Sequence, residues 1–208
     1  LLYRALLEGL GTDLKNLHQK WTIDIGEQLT EVTWGKILQS TLKVSSNARF
    51  KLMIYFYVHR AYLTPKSIAN MFPGSTSECP RCREEQASFP HMVWECPVVR
   101  GYWEQVMRVV SHSIDRPLPE TLLLSVLGYH VRTKAHEVTD KYLDLALVLA
   151  RRQITSWKAQ VGPNITRWKA ELDKWSRCKG AAISREESKG LRRRPVAHLW
   201  DTIVQACP

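Results

Sequence analysis

Four residues constrain this chain more than anything else in it: Cys79, Cys82, His91 and Cys96. They read C-x2-C-x8-H-x4-C, inside Cys79-Pro80-Arg81-Cys82-Arg83 and His91-Met92-Val93-Trp94-Glu95-Cys96-Pro97. Three thiolates and one imidazole are a closed tetrahedral donor set for zinc. The two-residue gap lets one tight turn aim both sulfurs at a point. The four-residue gap supplies the second pair from a helical turn and its exit. Four protein ligands leave no open position for a catalytic water, so the spacing predicts one structural zinc ion and a binding or scaffolding module.

Two other readings of the cysteines fit less well. A disulfide framework prefers an even count, and the chain has five cysteines. Cys79-Pro80-Arg81-Cys82 has the spacing of a redox pair, but that motif needs a βαβ setting and no strand-like run precedes it. Cys178 and Cys207 lie far from the motif and read as ordinary thiols. Unpaired cysteines beside a zinc motif are expected in a reducing, intracellular compartment.

The apolar pattern is helical nearly throughout. A stripe of Val32, Ile37, Leu38 and Leu42 is followed by a break at Ser45-Ser46-Asn47. Phe50, Met53, Ile54, Tyr57, Val58 and Ala61 then recur at helical spacing and read as core. Thr64-Pro65 sets an N-cap and a first helical residue, and that short helix carries Ile68 and Met71 before Pro73-Gly74 stops it. Pro97 starts another helix, with Val98, Tyr102, Val106 and Val109 expected inward. A short apolar helix is expected near 122–127. The longest helix is expected from His136 to Trp157, with Val138, Tyr142, Leu145, Leu149 and Trp157 inward. Trp168, Leu172 and Trp175 form the seam of the next. Residues 179–195 are poor in apolar side chains and read as an irregular basic linker. Val196 to Val204 is expected to dock back through Leu199, Trp200 and Ile203. The fold class is therefore mainly α: a helical region over 1–73, a CCHC zinc-binding region over 74–116, a basic helical region over 117–178, and a linker with a short terminal helix over 179–208. No apolar run approaches a membrane span. Leu1-Leu2-Tyr3-Arg4 begins in mid-helix pattern, which suggests a piece of a longer protein.

The net charge of +10 is concentrated. Residues 1–150 carry a net +2, residues 151–194 a net +9 and the remainder −1. A segment of that density attracts polyanions, of which nucleic acid is the commonest inside cells. A solvated basic face with no partner is the other reading of the same run.

Around the zinc ligands stand Tyr62-Leu63-Thr64-Pro65, Met71-Phe72-Pro73 and Tyr102-Trp103, in that order with the two ligand pairs. Downstream come Ala150-Arg151-Arg152-Gln153-Ile154, Trp157-Lys158, Pro163, Ile165, Trp168 and finally His198-Leu199-Trp200. Together they resemble the zinc-binding region near the C-terminus of LINE-type non-LTR retrotransposon reverse transcriptase polyproteins. The resemblance implies a module that binds RNA, primed DNA or their hybrid during target-primed reverse transcription. It also implies an upstream reverse transcriptase domain as a partner, no membrane partner, and a cytoplasmic ribonucleoprotein or nuclear location. It carries over Cys79, Cys82, His91 and Cys96 as metal ligands and no catalytic residue. Polymerase chemistry needs a metal-binding Asp pair, and the sequence has no Asp-Asp. The linker near Ala181 to Arg194 departs from the family pattern.

On this reading Arg81 and Arg83 offset the thiolate charge or contact phosphates and unpaired bases. Arg151, Arg152 and Lys158, with Arg167, Lys169 and Lys174 on the next helix, form a phosphate platform. Arg192, Arg193 and Arg194 form a basic arm or a nuclear localisation signal. The competing expectation is a zinc-stapled helical scaffold for protein or interdomain contacts. An enzyme in its own right is disfavoured by the closed zinc set and the lack of a carboxylate cluster.

Overall fold

The local sequence signals translate into nine α-helices among the described residues. The structure, a computed structural model, describes residues 14–43, 47–155, 162–189 and 197–205, with the backbone alone at 14–15 and 41–43. The helices are α1 (Leu14–Ile25), α2 (Glu31–Lys43), α3 (Ala48–Val58), α4 (Pro65–Met71), α5 (Pro97–Ser113), α6 (Leu122–Ser125), α7 (Glu137–Ile154), α8 (Ile165–Ser188) and α9 (Ala197–Gln205). A π-helical turn at His91–Glu95 and a 3₁₀ turn at Lys134–His136 complete the set. No described residue is in a strand, and no described helix is long and apolar enough to cross a membrane.

Helix starts follow capping chemistry. Asn47 accepts from the amides of Arg49 and Phe50, and Asn164 accepts from Arg167 at 2.8 Å. At α4, Thr64 and Ser67 form a capping box ahead of Pro65. Each such cap contributes about 1 kcal/mol by satisfying amides the helix leaves orphaned.

Helix α7 is the axle. Tyr142, Leu143, Ala146, Leu147, Leu149, Ala150 and Ile154 are all at most 1 % exposed. Twelve of its eighteen residues are buried, which puts it in the middle, and α3, α5, α8 and α9 pack around it. Four fully enclosed indoles pin the layers. Trp21 donates to the Val58 carbonyl, Trp103 to Val93, Trp168 to Ala146 and Trp200 to Ser176, at 2.8–3.0 Å. Each therefore buries its ring without leaving an N–H unsatisfied.

Several expectations need correction. Helix α8 does not end near residue 178 but continues to Ser188. The part expected as linker buries Gly180 and Ile183, with Ile183 in the core and Gly180 against Trp200 of α9. A Cβ at Gly180 would stand 3.1 Å from the Trp200 ring, so glycine sets how closely α9 approaches. On α5 the inward residue is Val99, and Val98 is exposed. Val32, Ala61 and Leu199 also face outward, each just off the buried stripe of its segment. Helix α7 ends at Ile154, and the expectations at Leu42, Trp157 and Cys207 lie outside the described side chains.

Candidate metal centre

The first ligand pair sits on a loop folded by its own backbone. The Arg83 amide donates to the Cys79 carbonyl at 2.9 Å, and the Cys79 amide returns to the Glu84 carbonyl at 2.8 Å. Arg83 takes φ +67 to close that turn. Ala87 bonds Ser77 at 2.9 Å, and Lys66 bonds Ala87 at 3.2 Å, which ties the loop to the start of α4.

The second pair sits on the π turn. There the Cys96 amide bonds the His91 carbonyl at 3.0 Å, five residues back. That wider turn is what a five-residue ligand separation requires. In an α-helix, residues i and i+5 diverge around the cylinder, whereas the i→i+5 bond stacks them. Pro97 then opens α5 at its N1 position. The sequence indicated a helical turn here but not its π geometry.

One donor atom from each of Cys79, Cys82, His91 and Cys96 lies within 4.8 Å of the others. The Cys79 and Cys96 sulfurs are 3.9 Å apart, and the Cys82 sulfur is 3.3 Å from His91 Nε2. Cys79, His91 and Cys96 are buried, with Cys82 at the rim. The cluster is consistent with one structural Zn²⁺ site, and its donor chemistry fits that ion. Burial pushes the Cys82 thiol up to about 12 and raises that of Cys96. At Cys79 burial also opposes ionisation, but the amides of Cys82 and Arg81 outweigh it and the thiol falls below its ordinary value. Three thiolates cannot share this pocket without a cation, and bound zinc is what keeps such a set deprotonated.

The surroundings orient the ligands. His91 Nδ1 lies 3.4 Å from the Glu84 carboxylate, which turns Nε2 toward the sulfurs. A carboxylate behind a ligating imidazole fixes its tautomer and raises its basicity. Glu84 escaped sequence reasoning; its position two residues after Cys82 was the available signal. Arg81 donates to the Met92 carbonyl at 2.9 Å and to the Ile154 carbonyl at the end of α7. The guanidinium thus ties the loop to the π turn and to the negative end of a helix. Its charge also lies close enough to Cys96, Cys79 and Cys82 to interact with them.

The basic residues separate into three groups. Arg81 and Arg151 correct the expectation of phosphate contacts, because both are engaged inside the fold. Arg151 is 2 % exposed and donates through Nε to the Ser125 carbonyl at 2.9 Å. Arg83, Arg152, Arg167 and Lys174 are exposed and Lys169 is half-buried. Arg152 and Arg167 both reach Glu171, at 3.8 and 3.9 Å. Lys158, Arg192, Arg193 and Arg194 lie outside the described residues.

Compared with models of known protein families, the sequence matches none.

Proposed function

We propose that the chain is a zinc-stapled helical scaffold whose work is to hold a protein or a neighbouring domain. One observation carries this reading. The zinc loop directs its own arginine, Arg81, into the carbonyls of Met92 and Ile154, so the metal site joins helical layers instead of presenting charge outward. Four protein ligands close the tetrahedron, so the site is structural and non-catalytic. The contact surface is the ridge beside it. Helix α4 buries none of its own side chains, and Leu63, Met71 and Phe72 are 48, 50 and 61 % exposed. Large apolar groups left exposed, where they form one patch, mark interaction sites.

A second reading is that of the resemblance: the nucleic-acid-binding C-terminal module of a LINE-type reverse transcriptase, docked on its upstream polymerase domain. The exposure of Arg83 beside the zinc cluster, with Arg152, Arg167 and Lys174 also at the surface, favours it. Arg81, Arg151 and the pairing of two arginines with Glu171 weigh against a broad platform.

Fluorescence anisotropy with single-stranded RNA across a salt series separates the two. A scaffold gives weak binding that neither Arg83→Ala nor Lys174→Ala changes. A phosphate-binding module gives tight binding that falls by about 10³–10⁵ between roughly 50 and 200 mM salt if six to ten phosphates are engaged. That second result would overturn the scaffold reading.

A further inference from the structure

Away from the zinc cluster, α2 and the segment 128–132 enclose a cleft of about 360 Å³ lined by Lys36, Gln39, Ser40, Gly128, His130 and Arg132, among others. That is a volume at which small-molecule sites begin. Its chemistry is one-sided. None of its lining residues is acidic. The acids that His130 and Arg132 contact, Asp140 and Asp144, belong to α7 and are 2 and 8 % exposed. Both are already engaged. Arg116 holds Asp140 at 2.9 Å, and Arg132 holds Asp144 at 2.9 Å. His130 Nε2 lies 3.2 Å from Asp144, and its Nδ1 lies 3.6 Å from Asp140.

A second observation points the same way. The guanidinium of Arg151 presses Nη2 against Gly128, one wall of the cleft. A Cβ built there would stand 2.4 Å from Arg151 Nη2 and 3.2 Å from Nη1. Gly128 is in the left-handed region, at φ +69. Arg151 faces no carboxylate at ion-pair distance among the described residues, and its buried Nη2 has no acceptor there. Burial pushes its pKa down only to about 10, so it remains a cation at neutral pH. The missing side chain of Gly128 leaves only backbone between this buried charge and the cleft, where low polarisability lets a charge act at longer range than in water. With Asp140 paired to Arg116 and Asp144 to Arg132, the lining Lys36 and the buried Arg151 are left as an excess of positive charge at the cleft. Gln39 and Ser40 add neutral polar groups along α2.

We propose that this cleft is an anion site that takes a phosphate group, carried by a free phosphorylated molecule or by a nucleic-acid strand. Lys36 meets the group from the α2 side and Arg132 from the loop side, while Arg151 supplies the fixed field behind Gly128. The site is independent of the scaffold reading, because it shares no residue with the zinc loop or with α4.

The test is calorimetric titration of the zinc-loaded chain with inorganic pyrophosphate, and separately with a short oligothymidylate. Lys36→Glu is the diagnostic variant. Lys36 is exposed and makes no ion pair among the described residues, so its reversal leaves the fold intact, as circular dichroism would verify. Saturable pyrophosphate binding at one per chain, weakened at least tenfold in Lys36→Glu, supports the site and identifies a free phosphorylated ligand. Binding of the oligonucleotide alone, with the same tenfold loss, supports it and identifies a strand. Arg132→Gln should reproduce either loss. No saturable binding of either probe, or binding unchanged in both variants, overturns the proposal.

Discussion

Glu84 shows how much one side chain adds to a metal cluster. Its carboxylate stands 3.4 Å behind His91 Nδ1, on the side away from the sulfurs. Removing such an orienting group typically weakens metal binding by about 10–100-fold. Glu84→Ala should therefore lower zinc affinity by that factor in a chelator competition, while Glu85→Ala, on an exposed neighbour, should not. Equal affinities for the two variants would mean that the imidazole is oriented by other contacts. The four ligands themselves were legible from spacing, because a donor set is a matter of residue type and chain length. Glu84 and Arg81 were not. Their roles depend on which backbone turn the loop adopts, and that turn rests on Arg83 in the left-handed region, where a non-glycine residue is uncommon.

At the scale of elements, α9 depends on one ring. Trp200 is fully buried, donates to Ser176 at 2.9 Å and packs edge-on to Tyr142 with centroids 5.9 Å apart. Trp200→Ala should cost about 3–5 kcal/mol in a urea unfolding experiment, the range for deleting a large aromatic from a core. Leu199→Ala, at a position 46 % exposed, should cost about 0.5 kcal/mol or less. Similar costs for the two would place the wrong face of α9 against the core. The heptad-like triplet of Trp168, Leu172 and Trp175 was enough to indicate α8. Its continuation to Ser188 was not legible, because only two small or apolar residues, Gly180 and Ile183, are buried among many charges. A helix held by so few core residues looks like a linker until its partner is in place.

For the whole molecule, the buried tyrosines predict an alkaline limit. Burial pushes Tyr62 up to about 12, and Tyr57 and Tyr102 are raised as well by burial. Unfolded tyrosines release their protons near pH 10. From about pH 10 to 12 the folded state therefore binds more protons than the unfolded one, and stability falls as pH rises. Arg151 works in the opposite direction. Its folded pKa of about 10 lies below the ordinary value of 12.5, so the unfolded chain holds more protons at that site and stability rises with pH. Burial lowers Arg60 and Arg81 as well, in the same direction as Arg151, but unfolded tyrosines ionise first, near pH 10, and three of them set the net loss. Helicity and tyrosinate absorbance should change together above pH 10 in one cooperative step. Complete ionisation of every tyrosine while helicity stays constant would show these three hydroxyls to be open to solvent.

Residue order alone was enough for the helical class, the capping break at Ser45-Ser46-Asn47, the Thr64 cap, the inward stripe of α3 and the four zinc donors. Each follows from short-range facts: residue type, periodicity and the reach of a few backbone bonds. It took packing to place α7 at the centre, to carry α8 on to α9 and to turn Arg81 and Arg151 inward. A charged side chain reads as exposed unless the acceptors that pair with it are known. For these two they are the carbonyls of Met92, Ile154 and Ser125, between 11 and 73 residues away in the chain. Such acceptors exist only once the helices that present them have packed.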